Sequence, residues 1–223
     1  MLELPRSRVA LLWKALSREL FHRAHYYPDN YDELERLFRW SRDPWHFETC
    51  SYERERLRSL LMRVQECPHA SILEVGCAEG VFTSQLSQIT EDVVAIDVSS
   101  TALARARERC TRATFFHSSL EEFRCDRRFD LVVCAETLYY VRDIPQAIRL
   151  LSSLGTYCLV SYTKRAAKKL DAYLLSIPSS QCHAFERRSW WWSRGARIVV
   201  WRNTPQGSHA GEAAAVVLSA AAG

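Results

Sequence analysis

The sequence predicts an α/β fold: a doubly wound, mostly parallel seven-stranded sheet with an N-terminal helical cap. Three observations carry this expectation. First, the stretch Ser71 to Asp97 reads as strand, small-residue turn, helix, strand and acid. Second, short apolar runs at Ala113 to His117, Phe129 to Ala135 and Tyr157 to Tyr162 alternate with helical patterns, which is the signature of βαβ units. Third, Gln181 to Trp192 and Arg197 to Trp201 are joined only by Ser193-Arg194-Gly195, as in an antiparallel hairpin.

The elements follow in order. Residues 1–27 read as an amphipathic helix with Leu12, Leu16 and Leu20 on one face, ended by Pro28. Asp29 or Asn30 caps a second helix whose apolar face is Leu34, Leu37 and Phe38. Asp43-Pro44-Trp45 is a turn, and Glu53 to Gln65 is helical, with Leu57, Leu60, Leu61 and Val64 inward and several arginines interleaved. The cap spans residues 1–68 and the sheet domain 69–204. Ile72, Leu73 and Val75 make a buried strand; Gly76, Ala78 and Gly80 bend the chain; Val81, Phe82, Leu86 and Ile89 continue as a helix. Val93 to Ile96 is the second strand, and Ser99 caps the helix that carries Ala102, Leu103, Ala106 and Cys110. Ser118 to Phe123 leads into a short helix, Glu136 to Val141 is a loop, and Ile144 to Leu154 and Lys164 to Leu175 are helices. Residues 205–223 are rich in Gly, Ala and Ser without periodicity and read as a disordered tail.

Composition narrows the classes of function. With 223 residues, 48% of them hydrophobic, the chain has enough apolar material for one full core. The net charge of +4 comes from arginines spread among glutamates, which favours a solvated surface over a nucleic-acid groove. Eight cysteines without a C-x-x-C pair suit a reduced, cytoplasmic setting, and Cys77, Cys110, Cys134 and Cys158 read as core residues. No stretch is long enough to span a bilayer, and no His or Cys spacing suggests a metal site.

In an open α/β sheet, ligands sit beyond the carboxyl ends of the strands. Glu74 to Gly80, Asp97 with Val98, Ser118 to Leu120, and Ala135, Glu136, Tyr139 and Tyr140 occupy four such ends. Asp97 is placed to accept hydrogen bonds from a ribose diol. A dinucleotide turn wants glycine where Ala78 and Val81 stand, and Glu74 and Glu79 would repel a pyrophosphate. A phosphate-free, cationic nucleoside such as S-adenosylmethionine escapes that repulsion. Three readings stay open on these residues: a methyl-transfer site, a nicotinamide site, and an ordinary α/β turn with a solvent-facing acid.

Five blocks add a resemblance: D-P-W-H-F at 43–47, S-Y-E-R-E-R at 51–56, L-E-V-G-C-A-E-G-V-F-T at 73–83, A-I-D-V at 95–98, and F-D-L-V-V-C-A-E-T-L-Y-Y at 129–140. Together they resemble the class I methyltransferases with a Rossmann-like fold, and within them the NodS family of nodulation N-methyltransferases, over roughly residues 28–162. The resemblance implies methyl transfer from S-adenosylmethionine to the amine of a de-N-acetylated chitooligosaccharide or another small-molecule amine. No nucleic-acid substrate is expected, because the fourth-strand end reads A-E-T-L rather than an Asn/Asp-Pro-Pro-aromatic loop, and no membrane, because no apolar stretch spans a bilayer; the oligomeric state stays open. Gly76, Ala78 and Gly80 would let the backbone approach the methionine and ribose. Glu74 would face the methionine ammonium, and Asp97 with Val98 the ribose. Ser119 and Leu120 stand where many such enzymes place an acid for the adenine amine, so a hydroxyl or backbone group would serve there; Ala135 would line the same pocket. Trp45 and residues 51–56 would close as a lid, with Arg54 meeting the methionine carboxylate. Glu136 would take the acceptor's proton, Tyr139 and Tyr140 would orient the acceptor, and His46 and His117 are second candidates for the base. O-methylation and a catalytically degenerate cofactor-binding protein are the alternatives. Purely structural roles compete for the same residues: Glu136 as a turn cap, the tyrosines as packing aromatics, Trp45 as a staple, and residues 53–58 as a solvated face.

Overall fold

The computed structural model describes residues 31–188 and 193–203. The expected first helix, its Pro28 stop, the caps at Asp29 or Asn30, and the tail at 205–223 lie outside the described residues. Two helices precede the sheet: α1, Tyr31–Trp40, and α2, Ser51–Gln65. The sheet domain then runs β1 Ser71–Val75, α3 Val81–Leu86, β2 Asp92–Asp97, α4 Ser100–Arg109 and β3 Thr114–His117. It continues with β4 Phe129–Ala135, a single turn of 3₁₀ helix at Leu138–Tyr140, α5 Ile144–Leu154 and β5 Gly155–Thr163. It ends with α6 Ala167–Leu174, β6 Gln181–Arg188 and β7 Ser193–Arg202.

The seven strands lie in the order β3-β2-β1-β4-β5-β7-β6, as a doubly wound sheet requires. β1 to β5 pair in parallel, and β7 runs antiparallel between β5 and β6. Because strand side chains alternate, β1, β2, β4 and β5 each feed more than one core. Leu73 and Val75 of β1, Val132 and Cys134 of β4, and Cys158, Val160 and Tyr162 of β5 pack with α5 and α6. Ile72, Leu131, Val133 and Leu159 face the other way, against Leu57, Leu60 and Val64 of α2 and Phe82 and Leu86 of α3. Cys77, Cys110, Cys134 and Cys158 are all buried, and the eight cysteines are free thiols.

The helix starts follow local chemistry. The Ser99 hydroxyl accepts from Ala102 N at 3.0 Å and opens α4, as expected. Asp143 does the same for α5, accepting from Gln146 N at 2.8 Å, with Pro145 in the first turn.

Three boundaries differ from the sequence reading. Ser193-Arg194-Gly195 belongs to β7 rather than to a hairpin turn, with Gly195 opposite Glu186. A Cβ at Gly195 would stand 3.1 Å from the Phe185 carbonyl oxygen, so the glycine serves close strand packing there. Residues 189–192, the end of the expected sixth strand, lie outside the described residues. Ser118 to Phe123 forms turns without a helix. Finally, α5 passes straight into β5 without a loop. Gly155 makes that junction possible, because a Cβ there would come 2.6 Å from Val132 Cγ2.

Candidate active site

One cleft-like cavity of about 180 Å³ opens over the carboxyl ends of β1, β2 and β4, where the strand order reverses. Its floor is the turn after β1. Gly76 has φ +79°, and a Cβ there would overlap Thr137 Oγ1 at 2.1 Å, so only glycine lets the two loops meet. Ala78 is left-handed at φ 49°, an uncommon state for a residue with a side chain. Its backbone N–H donates to Asp97 Oδ2 at 2.8 Å, which closes the turn against β2. The other Asp97 oxygen accepts from Ser99 N at 2.9 Å.

Two acids sit side by side in the floor. Glu74 is 2% exposed and Asp97 8%. Burial pushes the Glu74 carboxyl up to about 7, against the pull of the Thr83 hydroxyl, which donates to it at 2.5 Å. Nearby Asp97 raises it further. Burial also lifts Asp97, opposed by backbone N–H groups of Ser99, Ala78 and Val98. A third acid was missed by sequence reasoning. Glu121 lines the cavity beside Ser119 and Leu120, and its Oε2 is buried without a hydrogen-bond partner. The only signal for it was an acid two residues beyond the expected place.

The rest of the lining includes residues after β4 and from the helical cap. Glu136 is strained, with φ +54°, and its side chain does not cap a turn. Tyr139 Oη donates to its Oε2 at 3.2 Å, Ser161 Oγ to its Oε1 at 3.4 Å, and Arg56 Nη1 stands 3.6 Å away. Burial raises the Glu136 carboxyl above its ordinary range, and the Arg56 charge opposes that rise. Burial would lower Arg56, but Glu136 and Glu53 hold it above its usual value. The Tyr139 and Tyr140 rings tilt against each other at 4.6 Å, and both line the cavity. Trp45 does two things: it packs edge-on against Phe38 at 5.1 Å and stacks on Phe47 at 6.0 Å, and it faces the cavity. Val98, Ser119, Leu120 and Ala135 are lining residues as well.

The structure moves several expected residues. Arg54 is exposed, donates to the Glu48 carbonyl at 2.8 Å and lies outside the cavity. Helical spacing turns it outward while Arg56, two residues on, turns inward and is 3% exposed, so residues 53–58 are not a uniformly solvated face. Gly80 also lies off the cavity; its φ is +75° and a Cβ would meet Ala106 Cβ at 2.9 Å, so it serves the packing of α3 on α4. Glu79 does not charge the cavity. It pairs with Arg105 at 2.5 Å and accepts from Asp43 N at 2.7 Å, pinning the 41–45 loop. The expected repulsion of phosphate therefore rests on Glu74 alone among the two acids first considered. His46 bonds Thr49, His117 bonds the Val98 carbonyl, and neither lines the cavity.

Another feature had no sequence signal. Glu35 of α1 accepts from the hydroxyls of Ser99 and Thr101 at 2.6 Å each and from Thr101 N at 3.3 Å. Burial alone would raise it, but these bonds and Arg39 hold its carboxyl down at about 2. Glu35 thus fastens the cap to the N-terminus of α4. Among the described residues no cluster of ligating side chains could hold a metal, and no helix is long and apolar enough to cross a membrane.

Comparison with known proteins agrees with this arrangement. The crystal structure of N-methyltransferase NodS from Bradyrhizobium japonicum WM9, in complex with S-adenosyl-L-homocysteine, superposes with a TM-score of 0.66 at 25% identity. The match covers 79% of this chain and all of that one. Nodulation protein S of Bradyrhizobium diazoefficiens is 37% identical over 119 residues, 50% of this chain and 57% of the relative. A ubiquinone biosynthesis O-methyltransferase of Rickettsia bellii is 30% identical over 118 residues, 49% of this chain and 48% of the relative. The chain thus spans about half the length of the curated relatives it matches. The family model described as Nodulation protein S (NodS) matches residues 28–159, the stretch that builds the cap, the turn, Asp97 and Glu136. With more than half of its 223 residues in that match, the chain belongs to the NodS family.

Proposed function

We propose that the chain is an S-adenosylmethionine-dependent methyltransferase that methylates the amine of a small molecule, such as a de-N-acetylated amino sugar. The observation that carries this reading is that Glu74, Asp97, Glu121, Glu136 and Tyr139 line one and the same cavity. The donor set fits the cofactor. Glu121 Oε2 is a buried acceptor without a donor, as an exocyclic amine would supply. Asp97 keeps free lone pairs for a diol, and Glu74 offers a carboxylate to an ammonium. Aromatic rings of Phe38, Trp45, Phe47 and Tyr52 line the cavity too, which favours a cation over a phosphate. NodS of Bradyrhizobium japonicum, crystallised with S-adenosyl-L-homocysteine, supports the same reading.

When bound, the cofactor would supply an electrophilic methyl group that a free amine attacks in line, with S-adenosylhomocysteine leaving as the S–CH3 bond breaks. An ammonium has no lone pair, so it must first lose a proton. Glu136 takes it: its carboxylate is buried, raised in pKa and held by Tyr139 and Ser161. The cap residues 31–68 exclude water while Trp45 and Phe47 cover the site. Eight free thiols support a reducing cytoplasmic setting. The O-methyl reading keeps one supporting observation, the Rickettsia relative.

The deciding experiment offers isotopically labelled S-adenosylmethionine with a panel of amino sugars, small amines and phenols, and reads products by mass spectrometry. Label in an amine is expected; label only in hydroxyl oxygens would replace the N-methyl reading, and no label at all would leave a cofactor-binding protein. In parallel, Asp97→Ala should abolish S-adenosylhomocysteine binding by calorimetry. Unchanged affinity in a folded variant would refute the ribose role of Asp97.

A further inference from the structure

Arg56 is buried deeper than its known partners require. Its Nε donates to Glu53 Oε2 at 2.9 Å, yet Nη1 has no hydrogen-bond partner among the described residues. The nearest acceptor, Glu136 Oε1, is 3.6 Å away, beyond hydrogen-bond range. Glu136 is itself engaged elsewhere, by Tyr139 Oη and Ser161 Oγ. A structural ion pair would account for the charge of Arg56 but leaves a buried N–H of a charged group unsatisfied, which proteins rarely tolerate without a use. Both Arg56 and Glu136 line the cavity, with Nη1 and Oε1 separated by a 3.6 Å gap. Across that gap one group donates and the other accepts.

We infer that Arg56 determines acceptor specificity: its Nη1 donates to an oxygen on the carbon adjacent to the one that bears the reacting amine, while that amine meets Glu136. The inference rests on the methyl-transfer reading. It selects amines with a vicinal hydroxyl or ether oxygen over simple amines. Nitrogen and oxygen on adjacent carbons are spaced to engage the two side chains in parallel. A site built to hydrogen-bond such an oxygen discriminates strongly against an analogue that lacks it, because the buried donor is then left bare. Glu53 completes the device by holding the Arg56 fork through Nε, which leaves Nη1 as the nitrogen without a hydrogen-bond partner.

The test compares matched acceptors on the full chain: trans-2-aminocyclohexanol and cyclohexylamine, and ethanolamine and ethylamine. For wild type, kcat/KM for the oxygenated member of each pair should exceed that of the other by tenfold or more. In Arg56→Gln the ratio should fall to about one, with S-adenosylhomocysteine affinity by calorimetry within twofold of wild type. Arg56→Lys keeps a cation beside Glu136 without the fork, and it covers the case in which the glutamine variant fails to fold; its ratio should fall as well. A merely structural role would lower both members of a pair equally. Ratios that match wild type in the folded variants overturn the inference. A wild type that binds S-adenosylhomocysteine but methylates none of the four amines overturns it while the cofactor assignment stands. A wild type that binds no cofactor overturns both.

Discussion

Glu74→Gln tests the electrostatics of the cavity floor in the ligand-free protein. The carboxyl has an ordinary pKa of 4.5 and is held at about 7 in the fold, chiefly by burial. Below pH 4.5 the folded and unfolded chains both carry the proton. As pH rises from 4.5 to 7 the unfolded chain releases it first, so the native state binds more protons and loses stability. Above 7 both states are ionised and the penalty is constant. At roughly 1.4 kcal/mol per pH unit, the window corresponds to about 3 kcal/mol. Glutamine is isosteric and neutral, and its carbonyl can still accept from Thr83, which donates to Glu74 at 2.5 Å. Urea unfolding of both proteins at pH 4.5, 6, 7 and 8 gives the difference in unfolding free energy, in which the other titrating groups largely cancel. The variant should gain on wild type steadily with pH, by up to about 3 kcal/mol at pH 8. Asp97 adds to the rise through its charge, so the same series in an Asp97→Asn background should show a smaller gain. Parallel stability curves from pH 4.5 to 8 would refute the assignment of a buried, perturbed acid at position 74.

Four further expectations follow from the same geometry. Glu136→Gln removes the proton acceptor but keeps the shape of the site, so S-adenosylhomocysteine affinity should hold while kcat falls by about 10²–10⁴. In wild type, kcat should climb with pH through the raised pKa of Glu136, and a profile flat down to pH 5 would argue against it. Gly76→Ala forces a Cβ into Thr137 at a positive φ and should destabilise the fold by about 2–4 kcal/mol in chemical denaturation, with part of the loss recovered in Gly76→Ala/Thr137→Ala. Glu35→Ala removes the acceptor that joins α1 to Ser99 and Thr101, so amide hydrogen exchange should speed up in residues 31–40 and leave the central strands unchanged.

Much of the fold was legible because it depends on local patterns. The apolar runs of β1, β2, β4 and β5 and the small residues after β1 announce a parallel sheet whichever side chains meet across it. Ser99 at a helix start and Asp97 at a strand end have positions fixed by their own neighbours in sequence. The convergence of four strand ends on one cavity also follows from strand order, a consequence of the crossover connections.

The charged residues were not legible in the same way. Periodicity can say that a helix face is polar, but not which of Arg54 and Arg56 meets an acid from a distant strand. That choice belongs to the angle at which α2 lies on the sheet, and it buries Arg56 beside Glu136 while Arg54 faces solvent. Glu79 read as a charge at the binding turn until Arg105 of α4 neutralised it, and Gly80 read as a ligand contact until Ala106 took up its space. The strand role of Ser193 to Gly195 depends on register with β6, set by pairing rather than by turn residues. The sequence by itself therefore determined the scaffold and where its site must lie, since both rest on short-range periodicity and strand order. Only the tertiary structure decided which acids are buried, which are paired and which stay free to act, because Coulomb interaction and desolvation depend on distances between segments far apart along the chain.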